Sequence, residues 1–374
     1  MAFPDIVPVL TDGVIVLRAH TPADLDAITL QSSDPQSQAW TTVPRNYAFS
    51  DAQAFLDLIE QAWDTSDGHR YWAIDWRDDQ GATRFAGTID LRTDGHGAAE
   101  VGFGLHPQAR GRGLMARAVR LLAQYWFDDG GIRLRWQASA GNFASWRVAW
   151  ACGFTFHAVL PDWLPAPEGG LEDAWVASLA RDEPRQPQTP WFEPPERELL
   201  GIRLRPWRDN DLAHVESPDV PAHFMPPLSV LNPVTFPQWL LERRRRMSVG
   251  QAIEWCIAAC DDDRVLGSAV LFDRDGAITG DTAELGYQLL PSARGQGVTR
   301  TAARMALAHA FAAPSAGGLG LRRVTAQTSA DNAASNRVLD SLGFTVWGVE
   351  PAADVLPDGR HADALHWALD APRP

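Results

Sequence analysis

Residues 100–114 read EVGFGLHPQARGRGL, and residues 284–298 read ELGYQLLPSARGQGV. Eight of these 15 positions are identical. Each stretch begins with alternating apolar residues, which favours a strand, and ends in two glycines that precede an apolar helical pattern. A strand that enters a helix through a glycine turn is therefore encoded twice in one chain.

Two further blocks repeat in the same order. Residues 139–160 (SAGNFASWRVAWACGFTFHAVL) and residues 329–350 (SADNAASNRVLDSLGFTVWGVE) are identical at 11 of 22 positions. Upstream, VLRAHTPADLD at 16–26 corresponds to RLRPWRDNDLA at 203–213. Because the blocks keep their order and nearly their spacing, the chain contains a duplicated domain and not a short solenoid repeat.

The segment between the copies, RDEPRQPQTPWFEPPERE at 181–198, holds five prolines in 18 residues. Proline removes backbone donors and disfavours helix, so this composition is typical of a semi-rigid linker. We therefore expect an N-terminal domain over residues 1–180, a proline-rich linker over 181–198 and a C-terminal domain over 199–374.

Composition excludes several classes of protein. With 374 residues, of which 45% are hydrophobic, the chain can bury two substantial cores. Its net charge of −14 would repel a phosphate backbone, so no nucleic-acid partner is expected. No apolar run approaches a membrane span and the N-terminus lacks a signal-peptide pattern, which predicts a cytoplasmic protein without a membrane partner. The three cysteines and the histidine spacing predict no metal site.

Each copy predicts the same order of elements, β-α-α-β-β-β-α-β-α-β-β. The fold class is therefore α/β with a mixed sheet. The strands predicted before the turn are 71–76, 85–92 and 98–105, and in the second copy 253–260, 265–272 and 282–289. The elements predicted after the turn are helices 113–126 and 297–311, strands 132–138 and 322–328, and helices 143–152 and 333–342.

The glycine turn has the chemistry of an anion site. Two glycines let the backbone turn sharply, and the helix that follows adds unpaired amides and the positive end of its dipole. These groups favour a phosphate or pyrophosphate. Neither copy has the G-K-[ST] ending of a P-loop, and a turn after antiparallel strands does not fit a first βαβ dinucleotide unit. The residues expected to bind the anion are Gln108, Arg110, Gly111, Arg112, Gly113 and Leu114, and in the second copy Arg294, Gly295, Gln296, Gly297 and Val298.

The pattern [QR]-x-x-G-x-[GA] from Gln108 to Gly113 resembles the acyl-CoA pyrophosphate loop of the GCN5-related N-acetyltransferases, and the second copy departs from it only at Ser292. The downstream N-x-x-S-x-R and G-F blocks, together with WTTVP at 40–44, are similar to the ribosomal-protein alanine acetyltransferase branch of that superfamily. The resemblance covers nearly the whole chain, twice. It implies two tandem GNAT-fold domains, each a mostly antiparallel sheet with a splayed parallel strand pair and flanking helices.

The same resemblance implies direct transfer of an acyl group from acetyl-CoA or another acyl-CoA to a primary amine, with no metal. The thioester would lie between strands 99–105 and 132–138 in the first copy, and between 283–289 and 322–328 in the second. The residues implied are Leu105 and Leu289 for the thioester carbonyl, Asn142 and Asn332 for the pantetheine arm, and Ser145 and Ser335 beside the sulfur or the phosphates.

The amine must lose a proton before it attacks. Glu100 and Glu284 are the candidate bases, because each opens an apolar strand where a carboxylate would be a better proton acceptor; the alternative is an exposed, inert glutamate. Many members of the superfamily also place a tyrosine seven residues after the asparagine to protonate the leaving thiolate. Here Ala149 and Leu339 stand at those positions, which leaves Ser145, Ser335 or water as alternatives.

The sequence gives fewer indications of how the acceptor is bound than of how the donor is bound. We expect Trp40, Arg45 and Tyr47 to contact an amine acceptor, either a peptide N-terminus or a small molecule. The 16 tryptophans indicate either packing between the copies or an apolar channel for a long acyl chain or hydrophobic peptide.

Three further alternatives stay open at the level of sequence. The four arginines at 243–246 form either a solvated surface or a docking site for an acidic acyl carrier protein that would deliver a long acyl group. One or both copies would alternatively bind acyl-CoA without catalysis. The chain is expected to be a monomer whose copies form a pseudo-dimer, or a homodimer.

Overall fold

The computed structural model describes residues 7–64, 68–219, 229–273, 278, 280–356 and 358–372. The chain divides into two compact units, Met1–Gln188 and Thr189–Pro374, hereafter unit 1 and unit 2. The division falls inside the segment 181–198. The outer limits predicted for the two domains stay a prediction.

Unit 1 contains the predicted elements together with a two-residue strand and a short second helix that were not predicted. In chain order they are β1 (Leu10–Thr11), β2 (Ile15–Arg18), α1 (Leu25–Ser33), α2 (Pro35–Trp40), α3 (Phe49–Asp64), β3 (His69–Arg77), β4 (Thr83–Thr93), β5 (Ala98–Leu105), α4 (Leu114–Asp128), β6 (Arg133–Ser139), α5 (Phe143–Ala151), β7 (Thr155–Pro165) and β8 (Leu171–Ala180).

Unit 2 repeats this order except after its second strand. There the described residues form a 3-10 turn, Asp209–His214, where the first helix was predicted, and they contain no counterpart of α1 or α2. Residues 220–228 lie outside the described residues. The elements are β9 (Arg197–Leu199), β10 (Ile202–Arg205), α6 (Phe236–Ser248), β11 (Ala252–Ala259), β12 (Val265–Phe272), β13 (Thr282–Leu289), α7 (Val298–Phe311), β14 (Arg323–Ser329), α8 (Ala333–Ser341), β15 (Thr345–Val355) and β16 (His361–Asp370).

Each unit is built on one eight-stranded sheet. The strand order is β1-β2-β3-β4-β5-β6-β8-β7 in unit 1 and β15-β16-β14-β13-β12-β11-β10-β9 in unit 2. The pairs β5–β6 and β13–β14 are parallel, whereas the other strand pairs of the described residues are antiparallel. The predicted α/β class with a mixed, mostly antiparallel sheet is confirmed in both units.

The helix after each glycine turn holds the turn against the sheet. Helix α4 buries apolar residues at helical spacing and contacts β2, β4 and β5. Each large apolar side chain removed from water in this way contributes about 1.5–3 kcal/mol. The large buried side chains of unit 1 are mostly aromatic, namely Trp72, Trp126, Trp136, Trp146 and Trp175. The N-terminal end of α4 is therefore positioned by a rigid core.

A repeated arginine clamp fixes the start of each unit. The guanidinium of Arg18 on β2 donates two hydrogen bonds, of 2.7 and 2.8 Å, to Asp24 in the following 3-10 turn and two more to Asp75 on β3. In unit 2, Arg205 binds Asp211 in the same bidentate way at 2.9 and 2.7 Å. The hydrogen bonds that the two guanidinium groups donate to carboxylates raise the pKa of Arg18 and Arg205, although burial acts in the opposite direction.

Candidate active site

In each unit the parallel strands pair over three residues and then diverge. Strand β5 pairs with β6 from Ala98 to Glu100, and β13 pairs with β14 from Thr282 to Glu284. A cavity of about 990 Å³ is lined by residues 100–105 and 136–139, the diverging segments of β5 and β6. In unit 2, a cavity of about 970 Å³ is lined by 284–289 and 326–329. These cavities are called cleft 1 and cleft 2 below.

The glycine turn lies where β5 leads into α4, and its glycines are required by backbone conformation. Gly111 and Gly113 have φ of 73° and 71°, and Gly295 and Gly297 both have φ of 75°. A Cβ at any of the four would meet no atom within 4 Å, so close packing does not explain them. Gly113 and Gly297 are also the N-caps of α4 and α7, and a glycine has no side chain with which to cap its helix. Open space beside uncapped amides fits a phosphate group.

The arginines of the turn are engaged by acidic residues. Nη2 of Arg110 lies 2.7 Å from Oδ2 of Asp34, and Arg294 donates to both oxygens of Asp219 at 2.9 Å. Although its partial burial acts in the opposite direction, the hydrogen bond from Arg110 lowers the pKa of Asp34. These two arginines therefore fasten the turn to the preceding segment of their own unit.

Arg112, the second arginine of the turn in unit 1, lies 3.4 Å from Asp79 and stacks over the Trp76 ring at 4.7 Å. Because the arginines of both turns are directed at protein groups, the backbone amides are the main candidates for contact with an anion.

Both asparagines cap the helix that follows the splayed strand. Oδ1 of Asn142 accepts a hydrogen bond from the amide of Ser145 at 3.1 Å, and Oδ1 of Asn332 accepts one from Ser335 at 3.2 Å. The hydroxyl of Ser145 also accepts a hydrogen bond from the indole of Trp136 at 3.1 Å. The recurring N-x-x-S spacing thus has a structural cause, since an asparagine cap reaches the amide three residues on.

The structure brings most of the expected side chains of the splayed strands to the clefts. In cleft 1 the predicted residues that line the cavity are Trp40, Tyr47, Glu100, Leu105, Arg110, Asn142 and Ser145. In cleft 2 they are Glu284, Leu289, Arg294, Asn332 and Ser335. The predicted residues outside the cavity linings are Arg45, Gln108, Gly111, Arg112, Gly113, Leu114, Gly295, Gln296, Gly297 and Val298. Of these, Leu114 and Val298 are buried in the cores.

Cleft 1 contains a hydrogen-bonded network that sequence reasoning missed. Nε2 of His69 lies 2.9 Å from Oδ2 of Asp90, and Oη of Tyr71 lies 3.0 Å from Nδ1 of His69. Nε of Arg92 donates to Oδ2 of Asp90 at 2.9 Å, and its Nη1 lies 3.1 Å from Oε1 of Glu100. All five side chains line the cavity. The only sequence signal was alternation, which puts His69 with Tyr71, and Asp90 with Arg92, on one face of a strand.

In this network the guanidinium of Arg92 contacts both Glu100, the candidate base, and Asp90. Burial alone would lower the pKa of Arg92, but the charges of Asp90 and Glu100 raise it. Two carboxylates against one guanidinium leave an excess of negative charge at this wall of cleft 1. That excess favours a cationic group, such as an ammonium, over an anion.

Unit 2 has different residues at the corresponding positions. Trp72 and Trp255 identify the equivalent strands, because each indole donates to a proline carbonyl of the segment preceding its sheet. Trp72 pairs with Ile89, and Trp255 pairs with Ala269. Counting from these pairs, the four network positions on β3 and β4 correspond to Ala252, Glu254, Val270 and Phe272.

Cleft 2 has a buried ion pair instead. Nε of Arg243 lies 3.4 Å from Oε2 of Glu254, and the hydroxyl of Ser268 donates to Oε1 of Glu254 at 2.6 Å. Burial raises the pKa of Glu254. Tyr287 also lines cleft 2, and its hydroxyl donates to the carbonyl of Ser335 at 3.4 Å. The two clefts thus share a backbone frame but differ in the charges on one wall.

The arginine run of α6 is not a concentrated basic surface. Arg243 is buried beside Glu254, and Arg244 and Arg245 form ion pairs with Asp209 at 3.0 Å and Glu242 at 2.7 Å. Burial lowers the pKa of the fourth, Arg246, whose guanidinium lies over the Phe272 ring. The four charges point to separate surroundings, as expected for consecutive positions on a helix.

Within the residues that the structure describes, no group of three or more histidine, cysteine, aspartate or glutamate residues is arranged to hold a metal ion. No helix in the same residues has the length and apolar character that crossing a membrane requires.

Comparison with known proteins agrees with this architecture. The sequence model of the acetyltransferase (GNAT) domain family matches residues 15–155 and again residues 202–345. No curated protein matches the chain.

Several solved structures are similar to part of the chain. The Microcin C7 self-immunity acetyltransferase MccE, in complex with acetyl-CoA and AMP, is 19% identical, with a TM-score of 0.41 over 45% of this chain and 93% of that one. The ribosomal L7/L12 alpha-N-protein acetyltransferase RimL, in complex with coenzyme A, is 16% identical, with a TM-score of 0.41 over 46% and 98%. A putative acetyltransferase from T. thermophilus is 23% identical, with a TM-score of 0.42 over 49% and 93%.

The double family match covers more than half of the chain. It falls on the two units that carry a splayed strand pair and a glycine turn. The chain therefore belongs to the GNAT acetyltransferase family and carries two acetyltransferase domains in tandem.

Proposed function

We propose that the protein transfers an acyl group, with acetyl-CoA as the simplest donor, to the nitrogen of a primary amine by direct attack. The observation that carries this proposal is the position of cleft 1. It lies between the diverging segments of β5 and β6, and β5 leads directly into the uncapped N-terminus of α4. A long donor with an anionic end and a reactive thioester end needs both features in one place.

The donor would be held mainly by backbone groups. The amides that begin α4, with the turn at Gly111 and Gly113, would bind the pyrophosphate. The cleft walls near Leu105, Asn142 and Ser145 would receive the pantetheine arm, and the amides of β5 near Leu105 would polarise the thioester carbonyl. Coenzyme A supplies the activated acyl group, whereas the protein supplies position and hydrogen-bond donors.

The acceptor would enter cleft 1 from the side of the first three helices. Apolar residues of these helices, among them Trp40 and Phe55, line the cavity together with Tyr47. The pKa of Tyr47 is raised by burial, against a hydrogen bond to Ser32. An amine with an apolar substituent fits these walls, and Glu100 with Asp90 would attract its ammonium form.

Unit 2 would bind the same kind of donor, because Gly295, Gly297 and Asn332 repeat the frame of unit 1. The alternative of a binding domain without catalysis applies mainly to this unit, where the wall of cleft 2 lacks the network residues. A donor carried by an acyl carrier protein is not favoured, since the arginines at 243–246 have separate partners.

The test is isothermal titration of the full chain with acetyl-CoA, followed by the same titration of Gly111→Glu and Gly295→Glu. A glutamate at either turn adds a negative charge and a side chain at a φ that disfavours it. We expect each variant to lose the binding event of its own unit and to retain the other. If the wild-type chain takes up no acetyl-CoA, the proposed function is wrong.

A further inference from the structure

The acceptor must lose one proton as its nitrogen bonds to the acyl carbon, and cleft 1 contains a chain of groups that can accept it. The chain consists of Tyr71, His69 and Asp90, hereafter the proton relay. Tyr71 and His69 are two residues apart on β3, and Asp90 lies on the adjacent strand β4. Both strands belong to the sheet core, which fixes the order of the three groups.

The chemistry of the three side chains determines which atom donates and which accepts in each hydrogen bond of the proton relay. A carboxylate only accepts hydrogen bonds, so Nε2 of His69, 2.9 Å from Oδ2 of Asp90, carries the proton. In the neutral ring Nδ1 then has a lone pair, and it accepts the hydroxyl proton of Tyr71 at 3.0 Å. Arg92 donates to the same Oδ2 of Asp90, which holds the carboxylate in place.

Because both ring nitrogens of His69 are hydrogen-bonded to other members of the proton relay, His69 cannot itself receive a proton from a bound amine. The atom of the relay that would contact the amine is Oη of Tyr71. The phenol packs edge-on against Phe55 of α3 at 5.6 Å between ring centroids, and both rings line cleft 1. An acceptor amine bound against the first three helices would therefore meet this oxygen.

Building on the proposed function, we propose that Tyr71 is the group that takes the acceptor's proton in cleft 1 and passes its own proton to His69, with Asp90 as the positioning residue. The acceptor reacts as the neutral amine, its ammonium form having first given one proton to water. The nitrogen lone pair then forms the bond to the acyl carbon, and the remaining proton that the nitrogen must lose moves to Oη of Tyr71. The hydroxyl proton of Tyr71 moves to Nδ1 of His69, and the resulting imidazolium faces Asp90. The C–S bond breaks with its electron pair on sulfur, which takes a proton from water.

The proton relay is also a chemical difference between unit 1 and unit 2. The three relay positions correspond to Ala252, Glu254 and Val270 in cleft 2, so neither an imidazole nor a phenol stands at these positions, and the phenol of Tyr287 lies on β13 instead. Acyl transfer that depends on the relay would therefore occur in unit 1 only, even if both units bind the donor.

The relay is tested first without any acceptor, by ¹⁵N NMR of the histidine rings in the full-length protein, with His69→Gln identifying the His69 signals. We expect His69 to carry its proton on Nε2, and Tyr71→Phe to shift the Nδ1 resonance while leaving the Nε2 proton in place. A ring protonated on Nδ1, or a Nδ1 resonance unaffected by Tyr71→Phe, would overturn the relay. This result does not depend on acetyl-CoA, so it is separate from failure of the proposed function.

Activity is then measured with acetyl-CoA and two probe amines, 2-phenylethylamine and the amide of Ala-Phe. Removal of a positioned proton acceptor lowers turnover by about 10²–10⁴-fold, so Tyr71→Phe is expected to reduce kcat at least 100-fold. The KM for acetyl-CoA should stay unchanged. The thermal unfolding midpoint of unit 1 should fall by only about 2–4 °C, because one hydrogen bond is lost while the ring that packs against Phe55 is retained. Tyr125→Phe, a tyrosine of α4 that does not line cleft 1, is the matched control.

If the wild-type chain acetylates either probe and Tyr71→Phe keeps the wild-type kcat, the relay is wrong while the proposed function stands. If acetyl-CoA does not bind at all, the proposed function fails and the NMR result alone decides whether the relay exists. A loss of kcat in Tyr71→Phe with an intact fold, together with the Nε2 tautomer, supports it.

Discussion

His20 should make unit 1 lose stability in mildly acidic solution. The ring is buried between Phe55 and Phe85, and its Nε2 lies 3.0 Å from the hydroxyl of Thr88. Burial lowers the pKa of His20 from 6.5 to about 4, opposed only in part by the charge of Asp24. The folded state therefore keeps the ring neutral at a pH where the unfolded chain has already bound a proton.

The magnitude follows from the two pKa values. Since the folded pKa lies below the unfolded one, the contribution is complete above pH 6.5 and falls as the pH drops towards 4. With 1.36 kcal/mol for each pKa unit, the free energy of unfolding decreases by about 2 kcal/mol between pH 7 and pH 5 from this group alone. His20→Gln places an amide nitrogen near Thr88 but has no titrating ring, so its decrease over the same range should be smaller by that amount.

The duplication supplies an internal control. In the aligned blocks at 16–26 and 203–213, His20 corresponds to Trp207, which is buried and does not titrate. Hydrogen exchange measured by mass spectrometry over a urea series reads peptides of β3 and β11 separately. We expect His20→Gln to reduce the pH-dependent loss in β3 peptides and to leave β11 peptides unchanged. Any loss in β11 peptides comes from other groups, such as His309 beside Trp255, whose pKa is also lowered by burial. Equal slopes for the wild type and His20→Gln in unit 1 would refute the reasoning.

Three further predictions concern the clefts. Gly113→Ala should lower the free energy of unfolding of unit 1 by about 1–2 kcal/mol in urea denaturation, because φ is 71° and only strain is added; no change would contradict a left-handed cap. Asn142→Ala should cost about 1 kcal/mol in the same assay through loss of the cap of α5, and a stability equal to wild type would count against that role. Glu100→Gln should raise the KM for the probe amine by up to about fivefold in steady-state kinetics while acetyl-CoA affinity is kept, because a partly exposed carboxylate attracts an ammonium by about 0.2–1 kcal/mol. Glu284→Gln is its matched control in unit 2 and should leave the kinetics unchanged; an unchanged KM in Glu100→Gln would remove Glu100 from acceptor binding.

Sequence patterns predicted most of the strands and helices, because each of these elements is specified by residues that are close together in the sequence. Strands 98–105, 265–272 and 282–289 were predicted with the bounds that the structure shows, since alternation and flanking turns are visible within each segment. The glycine turn was visible for the same reason: a left-handed cap needs glycine at a fixed distance from the helix. At the start of the first helix predicted for unit 2, the described residues form a 3-10 turn, and residues 220–228 of that region lie outside the described part of the chain.

The site was less predictable because its contacts are long-range. Arg110 and Asp34 are 76 residues apart, and nothing near the glycine turn indicates that its arginine has a partner. The network of His69 and Asp90 depends on the register of β3 with β4, which shifts by one residue at Ile74. A one-residue change in register reverses which side chains share a face, so alternation alone does not place these groups together.

Repetition within the chain is weaker evidence for two active sites than it first suggests. The repeated residues include ones that the fold itself requires: Gly113 and Gly297 adopt a left-handed conformation, and Asn142 and Asn332 cap helices. Both pairs would persist in a unit that had stopped binding any donor. A chemical difference between the units is therefore informative only at positions where the fold does not require a particular residue.

The wall formed by β3 and β4 is such a place. In unit 1 it presents the imidazole of His69 and the carboxylate of Asp90 to cleft 1, whereas in unit 2 the corresponding positions are Ala252 and Val270. An alanine and a valine satisfy a strand as well as the polar pair does and require no compensating partners. Buried polar groups are costly unless each is hydrogen-bonded. Unit 2 also buries polar groups at this wall, Glu254 with Arg243 and Ser268, but it has no imidazole–carboxylate pair at the positions of His69 and Asp90. We therefore expect the chemistry of the proton relay in unit 1.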